Sequence, residues 1–345
     1  MTRVGLVGLG TMGRNHLRVL TELDGGSLVA VCDQDASTVS AAHQKYGIRG
    51  YGSWLEMFDR ERLDAAVVAV PTRFHREVGL AALDRGLHVL IEKPIAASLQ
   101  EGRELVEAAA RARRMLAVGH IERFNPAVRE LQRRVAAGEL GRVFQVQARR
   151  QGPFPARIRD VGVVIDLATH DLDVMCHLVD SEVDRVYGET AQRIHTEHED
   201  LLNALLKFDN GAVGVLQVNW LTPTKIRELS VLGERGLFLA DYLTQDLTHF
   251  KNGDVTIGRE AQRNLQGVSE GEVLRFPITQ AEPLKLELQS FLDAVRDGRP
   301  VEVDGAAGMR ALHLALALVK SASEGRVISS EELAALWSGG SRSGD

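Results

Sequence analysis

Cysteine is scarce in this sequence, with only Cys32 and Cys176 among 345 residues. Both lie in apolar segments, and two cysteines are too few for the disulfide framework that is typical of small secreted domains. This scarcity indicates a reducing compartment, and we therefore expect a cytoplasmic protein.

Long apolar runs and excess positive charge are also lacking. No stretch approaches the roughly 18 consecutive apolar residues of a membrane span. The first apolar stretch, “VGLVGLG” from residue 4, contains three glycines and is unlike a secretory signal. A formal net charge of −6 argues against a general nucleic-acid surface. We expect neither a membrane nor a nucleic acid as partner.

A glycine motif opens the chain. Gly8, Gly10 and Gly13 form G-x-G-x-x-G between an apolar run and a helical pattern. In such a unit the first glycine permits a tight turn and the second lets a pyrophosphate approach the backbone. The third lets the helix pack closely on the strand. The motif predicts a dinucleotide site with the loop residues Gly8, Leu9, Gly10, Thr11, Met12 and Gly13.

Asp33 completes this motif. It follows the second apolar run, twenty residues after Gly13, where a carboxylate accepts hydrogen bonds from ribose hydroxyls. The carboxylate would repel a 2′-phosphate, and Gln34 supplies no cation to offset that repulsion. The predicted cofactor is therefore NAD rather than NADP.

Apolar runs and helical patterns alternate up to residue 120. This predicts an α/β Rossmann domain with a doubly wound parallel sheet over residues 1–120. Ligands of such sheets lie at the carboxyl ends of the strands. As alternatives to cofactor binding, His75 is an ordinary loop residue, and Glu92 and Lys93 form an ion pair at the end of the strand. The candidate cofactor residues at the strand ends are Pro71, Thr72, His75, Glu92, Lys93 and His120.

The rest of the chain has a different pattern. Residues 121–335 contain consecutive strand-like segments separated by turn signals such as “DNG” and “ERG”. We expect residues 336–345 to form a flexible tail. This favours an α+β domain with a large, mostly antiparallel open-faced sheet. Within residues 212–220, every second residue (Ala212, Gly214, Leu216, Val218 and Trp220) is apolar or small, and the residues between them are also partly apolar. Both sheet faces therefore need cover, and we expect a homo-dimer or tetramer through the open face.

The segment “DVGVVIDLATHDLDVMCHLVD” (160–180) predicts a mostly apolar helix with one polar stripe of Asp166, His170, Asp173 and His177. For Asp166 and His170 acid–base chemistry is favoured, because histidine titrates near neutral pH and a carboxylate can orient it. Asp173 and His177 are assigned to a structural network. The stripe is too long for one metal site, so no metal is predicted.

Together these features resemble the Gfo/Idh/MocA family, the group of glucose-fructose oxidoreductase and inositol dehydrogenase. The resemblance rests on “GLGTMG” with Asp33, “EKP” at 92–94, D-x-x-x-H at 166–170 and the closing segment that begins “EPLKLELQSFLDAV”. More narrowly, “VGHIERFNPAV” and “RRQGPFPARIRDVGVVIDLATHDLDVM” are similar to members that oxidise C3 of UDP-N-acetylglucosamine. The resemblance implies a NAD-dependent dehydrogenase of a sugar hydroxyl.

The resemblance also implies a role for each candidate. His170 would take the hydroxyl proton, Lys93 would donate a hydrogen bond to the same oxygen, and Asp166 would orient the sugar or His170. A cis peptide bond between Lys93 and Pro94 is implied as well.

Arginines around “GPFP” support a sugar-nucleotide substrate. Four guanidinium groups there can hold a diphosphate by paired hydrogen bonds, with solvated arginines as the alternative. Two further residues from “ERFNP” are expected beside the substrate and the nicotinamide. The residues assigned to this group are Arg149, Arg150, Arg157 and Arg159, with Arg123 and Asn125 from “ERFNP”.

Other functions remain open from the sequence. Within the enzymes these are a dehydrogenase of an inositol-type polyol or of a UDP-sugar uronate, and a NAD-using glycosidase. From another class, the chain could be a non-catalytic NAD-binding regulator. The joint presence of Lys93, Asp166 and His170 argues against a regulator, which has no need for all three.

Overall fold

The structure, a computed structural model, describes residues 1–155, 161–194, 197–253 and 270–338. The chain divides into two compact units. The first contains Met1–Ile121, Glu282–Leu314 and Ala334–Asp345, and the second contains Glu122–Ala281 and Ala315–Leu333.

The first unit is built on a six-stranded parallel sheet with the order β3-β2-β1-β4-β5-β6. The strand order reverses between β1 and β4, and ligands of doubly wound sheets bind at this switch point. The strands are β1 (Thr2–Val7), β2 (Gly26–Cys32), β3 (Arg49–Tyr51), β4 (Ala65–Val68), β5 (His88–Glu92) and β6 (Leu116–Gly119).

Helices connect these strands, and local sequence marks where they begin. Ser98 caps α5, because its hydroxyl accepts a hydrogen bond from the Glu101 amide at 3.2 Å. Asp35 caps α2 in the same way, and Gly47 ends α2 in the left-handed conformation. The helices are α1 (Thr11–Glu22), α2 (Ala36–Tyr46), α3 (Trp54–Arg60), α4 (His75–Asp84) and α5 (Leu99–Ala112).

A later helix completes the core of the first unit. Leu284, Leu288 and Phe291 of α8 (Pro283–Asp297) are buried in one cluster with Leu17 and Leu20 of α1. By this packing, residues 282–314 group with the first unit, whereas the sequence placed them in the second domain. A local pattern shows that α8 has an apolar face but not which sheet that face covers.

The second unit is built on an eight-stranded sheet with the order β14-β13-β12-β11-β7-β10-β9-β8. The pair β7–β10 is parallel, and the other pairs among the described strands are antiparallel. The strands are β7 (Val143–Pro153), β8 (Val183–Ala191), β9 (Leu201–Phe208), β10 (Val213–Asn219), β11 (Leu221–Gly233), β12 (Gly236–Asp241), β13 (Asp246–Asn252) and β14 (Glu270–Phe276).

Helices cover one face of this sheet. The helix α7 (Thr169–Val179) packs on β7, and α6 (Pro126–Ala136) packs on β12 and β13. The chain also forms α9 (Gly305–Glu324) and α10 (Ser330–Ser338). The predicted fold class, a Rossmann sheet followed by a mostly antiparallel sheet, is confirmed.

The other face of the sheet in the second unit is open and partly apolar. Along the strands buried and exposed side chains alternate, as in β9, where Leu202, Ala204 and Leu206 are buried and Leu205 is 50% exposed. Five apolar side chains on the open face are between 37% and 52% exposed: Leu205, Leu232, Leu239, Phe250 and Val273. No helix among the described residues is long and apolar enough to cross a membrane.

Candidate active site

The glycine loop forms a tight cradle at the end of β1. Gly8 has a φ of +94°, and a Cβ there would lie 2.5 Å from the Ala69 carbonyl oxygen. A Cβ on Gly13 would lie 2.0 Å from the Gly8 carbonyl oxygen, whereas one on Gly10 would meet nothing within 4 Å. The loop is therefore closed on the protein side and open at Gly10, immediately before α1. These residues fit the pyrophosphate of a dinucleotide.

Asp33 lies at the carboxyl end of β2 and is half-buried. Its two carboxylate oxygens accept hydrogen bonds from the Leu9 amide at 2.6 Å and the Asp35 amide at 2.9 Å. The carboxylate is thereby fixed beside the glycine loop, as a ribose-binding group requires.

A cavity of about 600 Å³ adjoins Asp33. Two arginines line it, and each is paired with a glutamate: Arg49 with Glu61 at 2.9 Å and Arg60 with Glu56 at 3.0 Å. Each arginine thus already has a carboxylate partner, and the Asp33 carboxylate beside the cavity would repel a 2′-phosphate. Asp33 therefore favours NAD over NADP at this site.

His75 is buried at the start of α4 and belongs to the protein interior. Its Nδ1 lies 2.8 Å from the Pro94 carbonyl oxygen, and its Nε2 lies 2.9 Å from the Val70 carbonyl oxygen. Burial lowers the pKa of His75 and so favours the neutral form of the ring. This geometry favours the structural alternative over cofactor contact. Pro71 and Thr72 precede it at the end of β4, with Pro71 exposed and Thr72 half-buried.

Glu92 ends β5 as a buried carboxylate. Its Oε1 lies 2.8 Å from Nε2 of His16 in α1, and its Oε2 accepts a hydrogen bond from the Lys93 amide at 3.2 Å. Burial acts to raise the pKa of Glu92, but the His16 hydrogen bond and the charges of His16 and Lys93 outweigh it and hold that pKa below its usual value. Glu92 therefore links the helix behind the glycine loop to the backbone of Lys93.

Lys93 follows directly and is half-buried at the carboxyl edge of the parallel sheet. The Lys93–Pro94 peptide bond is cis, as the family resemblance implied. His120 lies at the next strand end, immediately after β6, and is buried.

Glu287 of α8 is a second buried carboxyl group near Glu92. Neither of its carboxyl oxygens has a hydrogen-bond partner among the described residues. Burial raises the pKa of Glu287 well above its usual value, and the charge of Glu92 adds to the shift. The protonated form of Glu287 is therefore favoured in the folded protein. Neither Glu287 nor His16 was anticipated from the sequence, where the only signal is a polar residue on the apolar face of a helix.

This carboxyl group predicts a specific pH dependence of stability. An unfolded glutamate ionises at about pH 4.3, whereas folded Glu287 keeps its proton. Above that pH, rising pH lowers the free energy of unfolding by up to about 1.4 kcal/mol per pH unit until the folded pKa is reached. Glu287→Gln removes this loss, so its stability relative to wild type should increase from pH 5 to pH 8.

Urea unfolding of both proteins across this range measures the difference. Glu331→Gln, on the exposed face of α10, is the matched control and should follow the wild type. If the Glu287→Gln and wild-type curves stay parallel, Glu287 is ionised in the folded protein.

In the second unit, Asp166 and His170 lie on consecutive turns. Asp166 belongs to a π-helical turn, Val164–Ala168, and His170 is the second residue of α7. Both side chains are half-buried, whereas Thr169 and Asp171 on either side of His170 are fully buried. The predicted helix therefore exists but begins with a wider turn, a feature that is frequent at functional sites.

Asp173 and His177 form the structural network that was predicted for them. Nε of Arg123 donates to Oδ2 of Asp173 at 2.6 Å, and its Nη2 donates to Oδ1 at 2.5 Å. Nη1 of Arg123 lies 3.5 Å from Nδ1 of His177. The Arg123 guanidinium is thus engaged by the protein, which does not favour the substrate contact predicted for it.

Asn125 also has a structural role. Its side-chain oxygen accepts a hydrogen bond from the Ala127 amide and caps α6, and its Nδ2 donates to the Tyr242 carbonyl oxygen at 3.1 Å. Only 2% of the residue is exposed. The burial of Asn125 and its role as a helix cap do not favour the substrate contact predicted for it.

The arginines around “GPFP” are partly engaged as well. Arg149 pairs with Glu228 at 2.8 Å. Buried Arg150 makes two hydrogen bonds to Asp171, at 2.7 and 3.0 Å, and one to Glu122 at 2.8 Å. Burial acts to lower the pKa of Arg150, but these carboxylates hold it well above its usual value. These ion pairs do not favour the diphosphate contact predicted for Arg149 and Arg150, and Arg157 and Arg159 lie outside the described residues.

Within the described part of the chain, no group of three or more histidine, cysteine, aspartate or glutamate side chains is arranged to hold a metal ion. The chemistry available is that of a fixed cofactor cradle with a lysine at the sheet edge, and of an Asp–His pair on a helix. An Asp–His pair suits proton abstraction from a hydroxyl group.

Two sequence families match the chain. Residues 2–120 match the family described as “Oxidoreductase family, NAD-binding Rossmann fold”, and residues 128–239 match the “GFO/IDH/MocA C-terminal domain”.

Two curated proteins illustrate the similarity. The UDP-N-acetylglucosamine 3-dehydrogenase of Acidithiobacillus ferrooxidans is 30% identical over 316 residues, which cover 91% of this chain and 95% of that protein. The myo-inositol 2-dehydrogenase of Thermotoga maritima is 26% identical over 343 residues, which cover 96% of this chain and 99% of that protein.

Solved structures agree with these relatives. The Acidithiobacillus ferrooxidans enzyme superposes with a TM-score of 0.83 at 27% identity, covering 96% of this chain and 98% of that chain. A dehydrogenase from Bordetella pertussis, in complex with NADH and UDP-GlcNAcA, superposes with a TM-score of 0.78 at 25% identity, covering 95% and 98%.

Proposed function

Because this chain belongs to the Gfo/Idh/MocA family of NAD-dependent oxidoreductases, we propose that it oxidises C3 of UDP-N-acetylglucosamine to the 3-keto sugar. The enzyme acts on a CH–OH group and uses NAD. The similarity to a UDP-N-acetylglucosamine 3-dehydrogenase over nearly the whole of both chains carries the substrate proposal.

We assign His170 as the general base that removes the proton of the C3 hydroxyl. His170 is half-buried at the start of α7, and histidine is the side chain that most often serves as a general base. Asp166, on the π-helical turn one turn earlier, orients the sugar or the imidazole.

We assign Lys93 as the hydrogen-bond donor that stabilises negative charge on the same oxygen as the proton leaves. Glu92 holds the Lys93 backbone through its amide and is itself fixed by His16. The lysine is thereby positioned by a buried pair rather than by a flexible loop alone.

The cofactor residues divide between the phosphates and the ribose. The loop Gly8 to Gly13 offers backbone N–H groups to the pyrophosphate, and Asp33 accepts hydrogen bonds from the ribose. NAD, when bound, accepts the hydride from the carbinol carbon. Pro71, Thr72 and His120, at the ends of β4 and β6, are proposed to line the cofactor.

A substrate panel tests the proposal. Purified enzyme with NAD is mixed with UDP-N-acetylglucosamine, its uronate, free N-acetylglucosamine and myo-inositol, and near-ultraviolet absorbance reports NADH. We expect reduction with UDP-N-acetylglucosamine, and UDP-N-acetylglucosamine deuterated at C3 should transfer its deuterium to the reduced cofactor. Label retained in the sugar would exclude C3 as the site of oxidation.

The alternatives give distinct results in this panel. Reduction with myo-inositol alone would indicate the polyol dehydrogenase that the Thermotoga maritima similarity supports. Reduction with the uronate alone would indicate the substrate class of the Bordetella pertussis complex. Absence of reduction with every compound, combined with tight NAD binding, would indicate a regulator.

The open face of the eight-stranded sheet supports a homo-oligomer. Four of its exposed apolar side chains lie on the neighbouring strands β11 to β14, and Leu205 lies on β9 of the same sheet. Exposed apolar patches are typical of protein interfaces. We propose that a second copy of the chain covers this face in a dimer or tetramer, and that the protein acts in the cytoplasm. Sedimentation of a stable monomer at micromolar concentration would contradict the interface.

A further inference from the structure

A second arginine lies beside Arg150 on the covered face of the eight-stranded sheet. Arg227 of β11 is directly opposite Arg150 of β7 in the antiparallel register. It also alternates with Leu229 and Val231, whose side chains are buried on that face. Arg227 therefore points to the side of the sheet on which α7 packs.

The two guanidinium groups differ in their partners. Arg150 is neutralised by Asp171 and Glu122. Arg227 has no carboxylate within ion-pair distance among the described residues, and only one of its nitrogens, Nη1, is hydrogen-bonded. The acceptors are the carbonyl oxygens of Gln151, at 2.6 Å, and Ile226, at 2.8 Å. These contacts fix the side chain without offsetting its charge.

The positive charge of Arg227 is not balanced by a carboxylate of its own among the described residues. Burial lowers the pKa of Arg227 and the charge of Arg150 lowers it further, while Asp171, Glu122 and Asp166 act in the opposite direction. A half-buried guanidinium that retains free donors and lies beside a second guanidinium is stabilised when an anion binds to it.

Arg227 lies near the residues that we assign to the reaction, Asp166 and His170. A Cβ on Gly152 would lie 3.9 Å from Nη1 and from Nη2 of Arg227. A larger residue at position 152 would therefore reduce the space for a ligand beside this guanidinium. Asp166, which we assign to substrate orientation, is close enough to influence it electrostatically. A ligand anion at Arg227 would thus lie near the Asp–His pair.

We propose that Arg227 binds the diphosphate of the nucleotide-sugar substrate through Nε and Nη2. This inference rests on the proposed function and deepens it, because it names the residue that distinguishes a sugar nucleotide from a free sugar or polyol. A planar guanidinium held by two carbonyl groups is preorganised for two parallel hydrogen bonds to phosphate oxygens.

Arg227→Gln and Arg227→Lys test the assignment. Arg227→Gln should raise KM for UDP-N-acetylglucosamine about 10- to 100-fold, the value of one or two charge-assisted hydrogen bonds, and leave kcat and KM for NAD within about twofold. Arg227→Lys keeps the charge but loses the two parallel N–H donors of the guanidinium, so its KM should lie between those of Arg227→Gln and wild type. Arg185→Gln, which removes an exposed arginine paired with Asp184, is the matched control and should behave as wild type.

A binding measurement separates this inference from the proposed function. Titration calorimetry of the NAD-saturated enzyme with UDP and with uridine requires no turnover. Wild type should bind UDP more tightly than uridine, and Arg227→Gln should lose most of that difference. If this holds but UDP-N-acetylglucosamine is not oxidised, the diphosphate site stands and the proposed reaction fails.

Other outcomes overturn the inference. An unchanged KM for the UDP-sugar in Arg227→Gln, with oxidation intact, removes Arg227 from the site and leaves the proposed reaction standing. A lower kcat at unchanged KM would mean that Arg227 acts by orienting Asp166. If the variants do not fold, inorganic pyrophosphate replaces them as the probe of wild type at saturating NAD, and its failure to compete with the UDP-sugar overturns the site.

Discussion

His170→Ala is expected to lower kcat for the sugar substrate about 10²–10⁴-fold, the usual contribution of a positioned general base. Without an imidazole, the hydroxyl proton has no nearby acceptor when the hydride leaves. KM for NAD should stay within about twofold of wild type, because the glycine loop and Asp33 lie in the other compact unit.

The fold should tolerate this change. The neighbours Thr169 and Asp171 are fully buried and hold α7 in place, and alanine is the strongest helix former. Removal of a half-buried ring therefore leaves the helix formed. The melting temperature should confirm this before kinetics are compared.

The pH profile gives the assignment its second test. A base must be neutral to accept a proton, so kcat/KM of wild type should show an acidic limb, a fall with decreasing pH as the base becomes protonated. His170→Ala should lose this limb. His177→Gln, on the same helix but beside Arg123, should keep both the limb and the turnover. If His177→Gln is as inactive as His170→Ala, the effect belongs to the helix and not to the base.

Features that depend on the local backbone could be predicted from the sequence. The G-x-G-x-x-G loop specifies its own turn, since Gly8 needs a positive φ and Gly13 has no room for a Cβ. Apolar runs alternating with helical patterns specify a parallel sheet in the same way. The cradle, Asp33 and the sheet edge that carries Lys93 follow from these local rules.

The partners of charged side chains could not be predicted. Arg123 and Asp173 are fifty positions apart, and Arg150 and Asp171 are twenty-one apart. Which arginine is neutralised depends on how α7 lies on β7, and no local pattern encodes that. The position of Arg227 could not be predicted either, because it lies opposite Arg150 only through the pairing of β11 with β7.

Alanine at two positions of the glycine loop should separate cofactor binding from folding. A Cβ on Gly13 would lie 2.0 Å from the Gly8 carbonyl oxygen and 2.7 Å from its carbonyl carbon. Backbone cannot move aside as a flexible side chain does, and Gly8 is itself confined by the Ala69 carbonyl group. Gly13→Ala should therefore destabilise the protein by about 1–3 kcal/mol or more and also weaken NAD binding.

Gly10→Ala should have the complementary effect. Its Cβ meets no protein atom within 4 Å, and Gly10 has a φ of −64°, which alanine adopts without strain. The melting temperature without cofactor should match wild type. The new methyl group occupies the space in which the pyrophosphate approaches the helix N-terminus, so loss of one or two charge-assisted hydrogen bonds should weaken NAD binding about 10- to 100-fold.

Thermal melting of each variant with and without NAD decides the matter. Wild type should be stabilised by NAD, and Gly10→Ala should melt normally but respond only at higher NAD concentration. Gly13→Ala should melt early under both conditions. If Gly10→Ala binds NAD as wild type does, the pyrophosphate does not approach the backbone at Gly10. The cofactor would then be held mainly from the Asp33 side, and the role of the glycine loop would be structural.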